Sequence, residues 1–379
     1  MPPVLYLAPD RACANYLALV RWMQPLRIRY ATKANPHPAL LAALARHGAH
    51  FAIVSAPELE ALLALGVPGE RIACVNPGPP ASLLRRCRTA GVRQLAADSV
   101  WELRKAAALV PGAVVCLTLH VPPAGRLRYP AAPVGVPLEA LEALLAAART
   151  LPIEIGGVAV HVGSQCERLP PWRQAVALAA AAWQRLQAAG YAPWLLNLGG
   201  GLPVRYRRPV PHPTTIARTL QQALAAHFPT PPAELWLEPG RYIAAGAGVL
   251  AATVLARRAH GGRLWLTLDV GRYRGLPEAP LGLRYPYYAP GQQQAPRRCV
   301  LTGPLGPRFD VLDRAAWLPP LRPGDRLYLL QAGAYTACQA AYPVSGREPR
   351  VVVLPPGRRL ADVLAGAWPE QDAAPAAQG

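Results

Sequence analysis

Short apolar runs of β type recur along the first two thirds of the chain, at residues 28–32, 50–54, 71–75, 94–97, 114–119, 157–162, 194–198 and 234–237. Between most of them lie stretches with apolar positions at helical spacing, at 38–46, 57–65, 81–90, 100–108, 138–149, 172–189 and 215–227. A strand covered on both faces reads as a continuous apolar run, whereas a helix lying over it is apolar on one face only. Alternation of the two predicts an α/β fold of the (β/α)8 TIM-type barrel class. Helix ends support the phasing: Ser55 with Glu58 and Ser99 with Glu102 have capping-box spacing, and Gly190 sits where a C-cap belongs.

The pattern changes after Ala245. Short strands at 249–256, 263–270, 299–302, 326–331 and 350–353 are separated by Pro/Gly-rich loops with no convincing amphipathic helix, which predicts a C-terminal all-β domain. The expected boundaries are 9–245 for the barrel, 246–360 for the β domain with the strand 1–8 as an optional member, and 361–379 for a disordered Ala/Pro/Gln-rich tail. The loop 285–298, with Tyr285-Pro286-Tyr287-Tyr288 and Gln292-Gln293-Gln294, reads as mobile.

Charge raises one question and the chain answers it. A formal charge of +19 suggests nucleic acid, yet the arginines are scattered, and no RNA-binding signature, zinc-finger spacing or basic heptad region occurs. A solvated basic surface is the reading. Seven cysteines (Cys13, Cys74, Cys87, Cys116, Cys166, Cys299, Cys338) lie far apart with no CxxC pair, predicting reduced, mostly buried thiols in a cytoplasmic protein. The N-terminus lacks the basic start and apolar run of a signal peptide, and no apolar stretch is long enough to span a bilayer, so no membrane partner is expected.

Only two of the forty Lys and Arg residues are lysines, Lys33 and Lys105. Lys33 closes the first barrel run just before Ala34-Asn35-Pro36. Arginine replaces a solvated charge well, but its guanidinium stays protonated, whereas a lysine amine can lose its proton and attack a carbonyl. Lys33 is therefore a candidate Schiff-base lysine, with an ordinary strand-end lysine as the alternative. Active sites of such barrels lie at the C-terminal strand ends. There the chain places Lys33, Ser55, Asn76, Asp98, His161 with Ser164, Gly199-Gly200-Gly201, and Glu238-Pro239-Gly240-Arg241.

These residue types suit a phosphorylated pyridine aldehyde. A lysine meets the carbonyl, a flat imidazole stacks on the ring, and a carboxylate holds the ring nitrogen protonated; glycine N–H groups, Ser and Arg suit the phosphate. No metal set competes, because the histidines lack carboxylate or Cys partners at ligand spacing. Taken singly, each residue has a plainer reading: His161 as a satisfied core histidine, Glu58 as a capping acid only, 199–201 as a tight turn, and Glu238-Pro239-Gly240 as a strand-ending turn.

Six ordered stretches carry a resemblance: Tyr30-Ala31-Thr32-Lys33-Ala34-Asn35, Asp98-Ser99 followed by Glu102-Leu103, His161-Val162-Gly163-Ser164-Gln165, Asn197-Leu198-Gly199-Gly200-Gly201-Leu202-Pro203, Glu238-Pro239-Gly240-Arg241-Tyr242, and Gly333-Ala334-Tyr335-Thr336. In them the chain resembles the fold-type III pyridoxal-phosphate decarboxylases, the group of ornithine, arginine and diaminopimelate decarboxylases, and more distantly alanine racemase. The resemblance implies pyridoxal 5'-phosphate on Lys33, His161 on its ring and Glu238 at its ring nitrogen. It places Ser164, Gly199, Gly200, Gly201, Gly240, Arg241 and Tyr335 around the phosphate. It also implies a homodimer with shared active sites.

The chain departs from the family where substrate is handled. The family's Gly-Pro-x-Cys-Asp/Glu segment supplies a cysteine that reprotonates the carbanion and an acid that contacts substrate; here it reads Gly303-Pro304-Leu305-Gly306-Pro307-Arg308-Phe309-Asp310. An Asp expected at the second strand end is Ala52, and an Arg expected in the fifth strand is Thr118. Without the acid, a distal ammonium has no partner, so ornithine and lysine are disfavoured. Arg272, Arg274, Arg284 and Arg308 suit a carboxylate-bearing or carrier-attached substrate, with solvated loop charges as the alternative. The expectation is α-decarboxylation of an unusual amino acid or conjugate in specialised biosynthesis. Water, Lys33 or Tyr273 replaces the cysteine as proton donor. A pyridoxal-phosphate-binding partner subunit without turnover and an amino-acid racemase are the alternatives.

Overall fold

A computed structural model of the 379-residue chain describes residues 2–125, 127, 134–291, 294–339 and 348–366. The chain divides into two compact units, one of residues 14–204 and 210–242, the other of residues 1–13, 205–209 and 243–379.

In the first unit, eight strands close a parallel barrel: β2 (Arg27–Ala31), β3 (His50–Ile53), β4 (Ile72–Cys74), β5 (Gln94–Ala97), β6 (Val114–Thr118), β7 (Glu154–Ala159), β8 (Leu195–Asn197) and β9 (Glu234–Leu237), where β1 denotes Val4–Leu7 of the other unit. All eight apolar runs of the sequence form these strands. Each is followed by the turn or helix that right-handed β-crossover-β connection requires. The main helices are α2 (Pro38–Arg46), α3 (Ala56–Leu63), α4 (Ala81–Thr89), α5 (Val100–Leu109), α6 (Leu141–Ala148), α7 (Pro170–Ala188) and α8 (Pro213–His227), and α1 (Pro9–Trp22) precedes β2.

Inward positions carry a small-and-large cluster of Ala73, Cys116, Ala159, Leu195 and Trp236, so the barrel is filled and one indole takes the space that alanines leave. On α7, Trp172, Ala175, Val176, Ala179, Ala182, Trp183 and Leu186 are buried on one face, and each large side chain so covered contributes roughly 1.5–3 kcal/mol. The capping boxes form only in part. Ser99 Oγ accepts from Glu102 N at 3.3 Å, but the Glu102 carboxylate turns to Lys105 at 2.6 Å. Ser55 makes no cap bond; its hydroxyl donates to Glu58 Oε1 at 3.0 Å, and Glu58 Oε2 accepts from Val54 N at 3.0 Å.

The second unit is mostly sheet. Its strands β10 (Gly248–His260), β11 (Arg263–Leu268), β12 (Tyr287–Tyr288), β13 (Arg297–Thr302), β14 (Val311–Leu318) and β15 (Arg326–Leu329) run in the order β12-β15-β10-β11-β13-β14. β1 pairs antiparallel with β10 and parallel with β16 (Arg350–Val353). Part of the loop expected at 285–298 is therefore strand, since Tyr287 and Tyr288 pair with Leu329 and Tyr328; Gln292 and Gln293 lie outside the described residues. The expected tail 361–379 begins inside the helix α9 (Leu360–Leu364), where Val363 is buried, and residues 367–379 lie outside the described residues. β14 escapes a hydropathy reading because Asp313 and Arg314 interrupt it. The Asp313 carboxylate is buried all the same, paired with Arg207 at 3.0 Å and reached by Arg284 at 3.5 Å.

Among the described residues no disulfide joins any of the seven cysteines; six are buried and Cys338 is exposed. Among the described residues no helix is long and apolar enough to cross a membrane.

After α7, Gly190 has φ +82°, and its N–H and that of Tyr191 close on Gln187 and Leu186 carbonyls, a C-capping turn. A side chain there would meet no neighbouring atom. Gly190→Ala therefore carries only the backbone cost of a left-handed residue, about 1 kcal/mol in chemical denaturation, and Gly190→Asn costs less. Equal stability of all three proteins would contradict this capping role.

Candidate functional site

Lys33 leaves the barrel wall in one short turn. β2 ends at Ala31, and the 3-10 turn Thr32–Ala34 buries Thr32 and Ala34 while leaving Lys33 exposed. The turn is braced from behind: Tyr30 Oη donates to the Asn35 carbonyl at 3.0 Å, and Asn35 Oδ1 accepts from His37 N at 3.0 Å.

Glu238 follows the last residue of β9, on the strand next to β2. The ladder runs past both strand ends, because Ala31 N donates to the Pro239 carbonyl at 3.3 Å. Asn197, which ends β8, donates through Nδ2 to Glu238 Oε1 at 2.5 Å and accepts through Oδ1 from Gly199 N at 2.9 Å. One amide side chain thus fixes both the carboxylate and the start of the glycine turn. Burial pushes the Glu238 carboxyl up from its ordinary range, while the Asn197 hydrogen bond and the charges of Lys33 and Arg29 pull it back down.

His161 ends the β7 crossing. Its Nδ1 accepts from Gly163 N at 2.8 Å, so the neutral ring carries its proton on Nε2. Loss of hydration within the barrel mouth, and then the Lys33 cation, depress its pKa to about 4. Lys33 acts electrostatically on His161, Glu238 and Glu58, so its ammonium is the shared charge of the cluster.

The three glycines are required by space. A Cβ on Gly199 (φ +63°) would fall 2.3 Å from the Val160 carbonyl oxygen, and one on Gly201 (φ +109°) 2.6 Å from that of Gly163. On Gly200 it would meet the Glu238 carbonyl oxygen at 2.7 Å and stand 3.5 Å from His161 Nε2. The amides of Gly200 and Gly201 have no hydrogen-bond partner among the described residues. Beside them, Arg241 Nη2 donates to Ser164 Oγ at 3.0 Å. Gln165 clamps the Ser164 segment to Val204 through bonds of 2.6 and 3.0 Å, and Cys166 N reaches the Gly201 carbonyl at 2.9 Å. Two unpaired amides, a hydroxyl and a guanidinium make an anion-binding set.

The barrel end thus gathers Lys33, His161, Ser164, Gly199, Gly200, Gly201, Glu238, Gly240 and Arg241. Ser55, Asn76 and Asp98 have other work: Ser55 bonds Glu58, Asn76 bonds the Val54 carbonyl and Gly78 N, and Asp98 accepts from Gly135 N. Tyr273 and Tyr335 belong to the second unit, where Tyr335 has φ +54° and the Arg272 guanidinium lies 5.3 Å from the Tyr273 ring. In that unit the segment 303–310 closes on itself: Gly303 N donates to the Asp310 carbonyl at 2.8 Å and Asp310 N to that of Gly306 at 3.0 Å. Asp310 Oδ1 accepts from Arg272 N at 2.7 Å. Gly306 stands at φ +86° with open space where a side chain would be. Sequence reasoning missed the role of Asn197, although a lone amide ending an apolar strand was a visible signal. It also missed Arg29, a charged residue at a fully buried strand position.

A depressed pKa keeps the His161 ring neutral until the pH falls towards 4. In proton NMR its C–H signal, assigned by loss in His161→Gln, is expected to hold its neutral position from pH 8 down to about pH 5. A midpoint near the ordinary value of about 6.5 would contradict the geometry.

The sequence model described as "Pyridoxal-dependent decarboxylase, pyridoxal binding domain" matches residues 11–245. A lysine/ornithine decarboxylase of Selenomonas ruminantium is 30% identical over 348 residues, covering 89% of this chain and 86% of that protein. Human antizyme inhibitor 2 is 26% identical over 347 residues, covering 85% of this chain and 74% of that protein. The crystal structure of a Vibrio vulnificus lysine/ornithine decarboxylase complexed with cadaverine superposes with a TM-score of 0.83 at 26% identity, covering 93% of this chain and 94% of that one. The chain accordingly belongs to the pyridoxal-dependent decarboxylases of the ornithine, arginine and lysine type, with pyridoxal phosphate as its cofactor.

Proposed function

We propose that the chain is an active α-decarboxylase of an amino acid or amino-acid conjugate other than a simple basic amino acid, working in specialised biosynthesis as a cytoplasmic homodimer. The observation that carries this reading is the convergence of Lys33, His161, Glu238 and the Ser164–Arg241 pair on one barrel end.

The residues present fit the cofactor. The Gly200 and Gly201 amides, unpaired among the described residues, lie beside Ser164 and Arg241 and suit its phosphate, and a Cβ at any of the three glycines would collide with the backbone that holds this turn in place. Lys33 would take its carbonyl, His161 would face its ring, Glu238 would meet its ring nitrogen, and Gly240 would leave room for its phosphate. The roles of Tyr335 at the phosphate and Tyr273 as proton donor rest on resemblance alone. When bound, pyridoxal phosphate supplies a carbonyl for the substrate amine and a ring that withdraws electrons from the bond to CO2. Glu238, its carboxylate oriented by the Asn197 hydrogen bond, would hold a proton at the ring nitrogen. His161 presents a neutral face, so it adds no competing charge. Lys33 would be the amine that releases product, and either it or water would supply the final proton.

The substrate part of this proposal draws on residues of the second unit. Gly306 and Pro307 offer no thiol and no acid in the segment 303–310. A cavity of about 200 Å³ in that unit is lined by Pro280, Arg284, Arg308, Phe309, Val311 and Arg314, with no carboxylate on its wall. Arg284 is engaged by Asp313 and by the Ala279 and Leu283 carbonyls, but Arg308 and Arg314 favour a carboxylate-bearing group and disfavour a distal ammonium, which would stay unpaired. A second reading, a cofactor-binding partner subunit without turnover, draws on Gly306 and on the relative named as an antizyme inhibitor.

Mass spectrometry of products from a panel of amino acids, with the cofactor bound, tests both. Loss of CO2 is expected from a member with a distal carboxylate or conjugate, with ornithine, lysine and arginine at least about 100-fold poorer in kcat/KM. Efficient turnover of any of those three would refute the substrate reading. A loaded protein that converts no member would favour the partner subunit.

A further inference from the structure

Arg29 sits at an inward position of β2 and is fully buried, with 0% of its surface exposed. An isolated charge in such a place is costly unless something opposes it. Its guanidinium lies 3.7 Å over the Trp236 ring and donates from Nη2 to Gln94 Oε1 at 2.7 Å, across the barrel on β5. A weaker bond of 3.4 Å reaches the Arg71 carbonyl, and Nε has no partner among the described residues. Among the described residues no carboxylate pairs with it directly. The groups around it are Arg27, Arg71 and His50, which add positive charge or none, and two acids, Glu234 and Glu238.

Glu234 is already engaged. It pairs with Arg27 at 3.5 Å and accepts from Trp236 Nε1 at 2.7 Å. Glu238 is the other acid, and the strand register brings it close. β2 and β9 pair Arg27 with Trp236 and Ile28 with Leu237, and the ladder continues to Pro239, so Arg29 and Glu238 are lateral neighbours on adjacent strands. Inward-facing positions alternate, which puts Arg27 with Trp236 and Arg29 with Glu238 on the same side of the wall.

We propose that Arg29 is the buried counter-charge of Glu238, a positioning residue that keeps this acid a carboxylate from inside the barrel, as Lys33 does from the mouth. The pairing is reciprocal: Glu238 is also what makes a buried guanidinium tolerable. The directions of the electrostatics agree, since Glu238 raises the Arg29 pKa, which burial lowers to about 10, and Arg29 lowers that of Glu238. The other groups facing Glu238 are Lys33 beyond β2, Asn197 on β8 and the Cys116 thiol on β6. Of these only Lys33 is a second cation, and it is the residue proposed to be consumed by the cofactor. The inference deepens the proposed role of Glu238 at the ring nitrogen and rests on it for its catalytic meaning; the charge coupling itself does not need it.

A double-mutant cycle of Arg29→Met, Glu238→Gln and the pair, read by chemical denaturation of the full-length chain with and without pyridoxal phosphate, tests the coupling. Each single variant is expected to strand a charge, and the double variant to recover stability, with a coupling of roughly tenfold or more in the unfolding equilibrium constant in the cofactor-free protein. A second measurement covers poor folding of Arg29→Met. In Arg29→Gln, the infrared carbonyl band of protonated Glu238, identified by its loss in Glu238→Gln, should appear at a pH higher by at least about one unit than in the parent. Additive stabilities and an unmoved band would mean that Arg29 is only packing, and the inference would be wrong. Parental turnover by Glu238→Gln with an intact coupling would instead overturn the ring-nitrogen role and leave the charge pair standing.

Discussion

The organising constraint is a carboxylate that the barrel holds in a recess. Glu238 loses hydration where β9 ends, and burial alone would drive it neutral. Everything around it works against that drift: Asn197 donates to it, Lys33 faces it, and Arg29 lies below. The same Asn197 begins the glycine turn, the turn abuts His161, and His161 is bonded to the segment that carries Ser164. A change at Glu238 therefore propagates to the anion-binding side of the site through a short chain of hydrogen bonds.

Much of this was legible from the residues. Eight apolar runs became the eight barrel strands, because strands covered on both faces need continuous apolar sequence. The rim residues Lys33, His161, Ser164, the glycines, Glu238 and Arg241 fell at strand ends and were brought together there. Elements whose polar residues find buried partners were harder to read. β14 was missed because Asp313 looks like a loop residue until Arg207 and Arg284 are seen to neutralise it. Arg29 passed as one more surface arginine because its acceptor, Gln94, and its aromatic support, Trp236, are 65 and 207 positions away in sequence. The capping boxes were half right, since Glu58 and Glu102 were drawn off by Val54 N and Lys105.

The glycine turn and the segment 303–310 differ in how tightly they are packed. At the barrel end, each glycine is fixed by a backbone atom less than 3 Å from where a side chain would start, so little variation is permitted. In the segment 303–310, Gly303 and Asp310 are fixed against each other and against Gly271 and Arg272, whereas Gly306 has open space around it.

The central claim is that Lys33 is the reactive amine of this cradle. Reduction of the pyridoxal-phosphate-loaded protein with borohydride, followed by peptide mass spectrometry, tests it most directly. The cofactor should be fixed on the peptide containing Lys33, with none on Lys105, whose ammonium is held by Glu102 at 2.6 Å. Labelling on Lys105, or undiminished labelling in Lys33→Ala, would contradict the account.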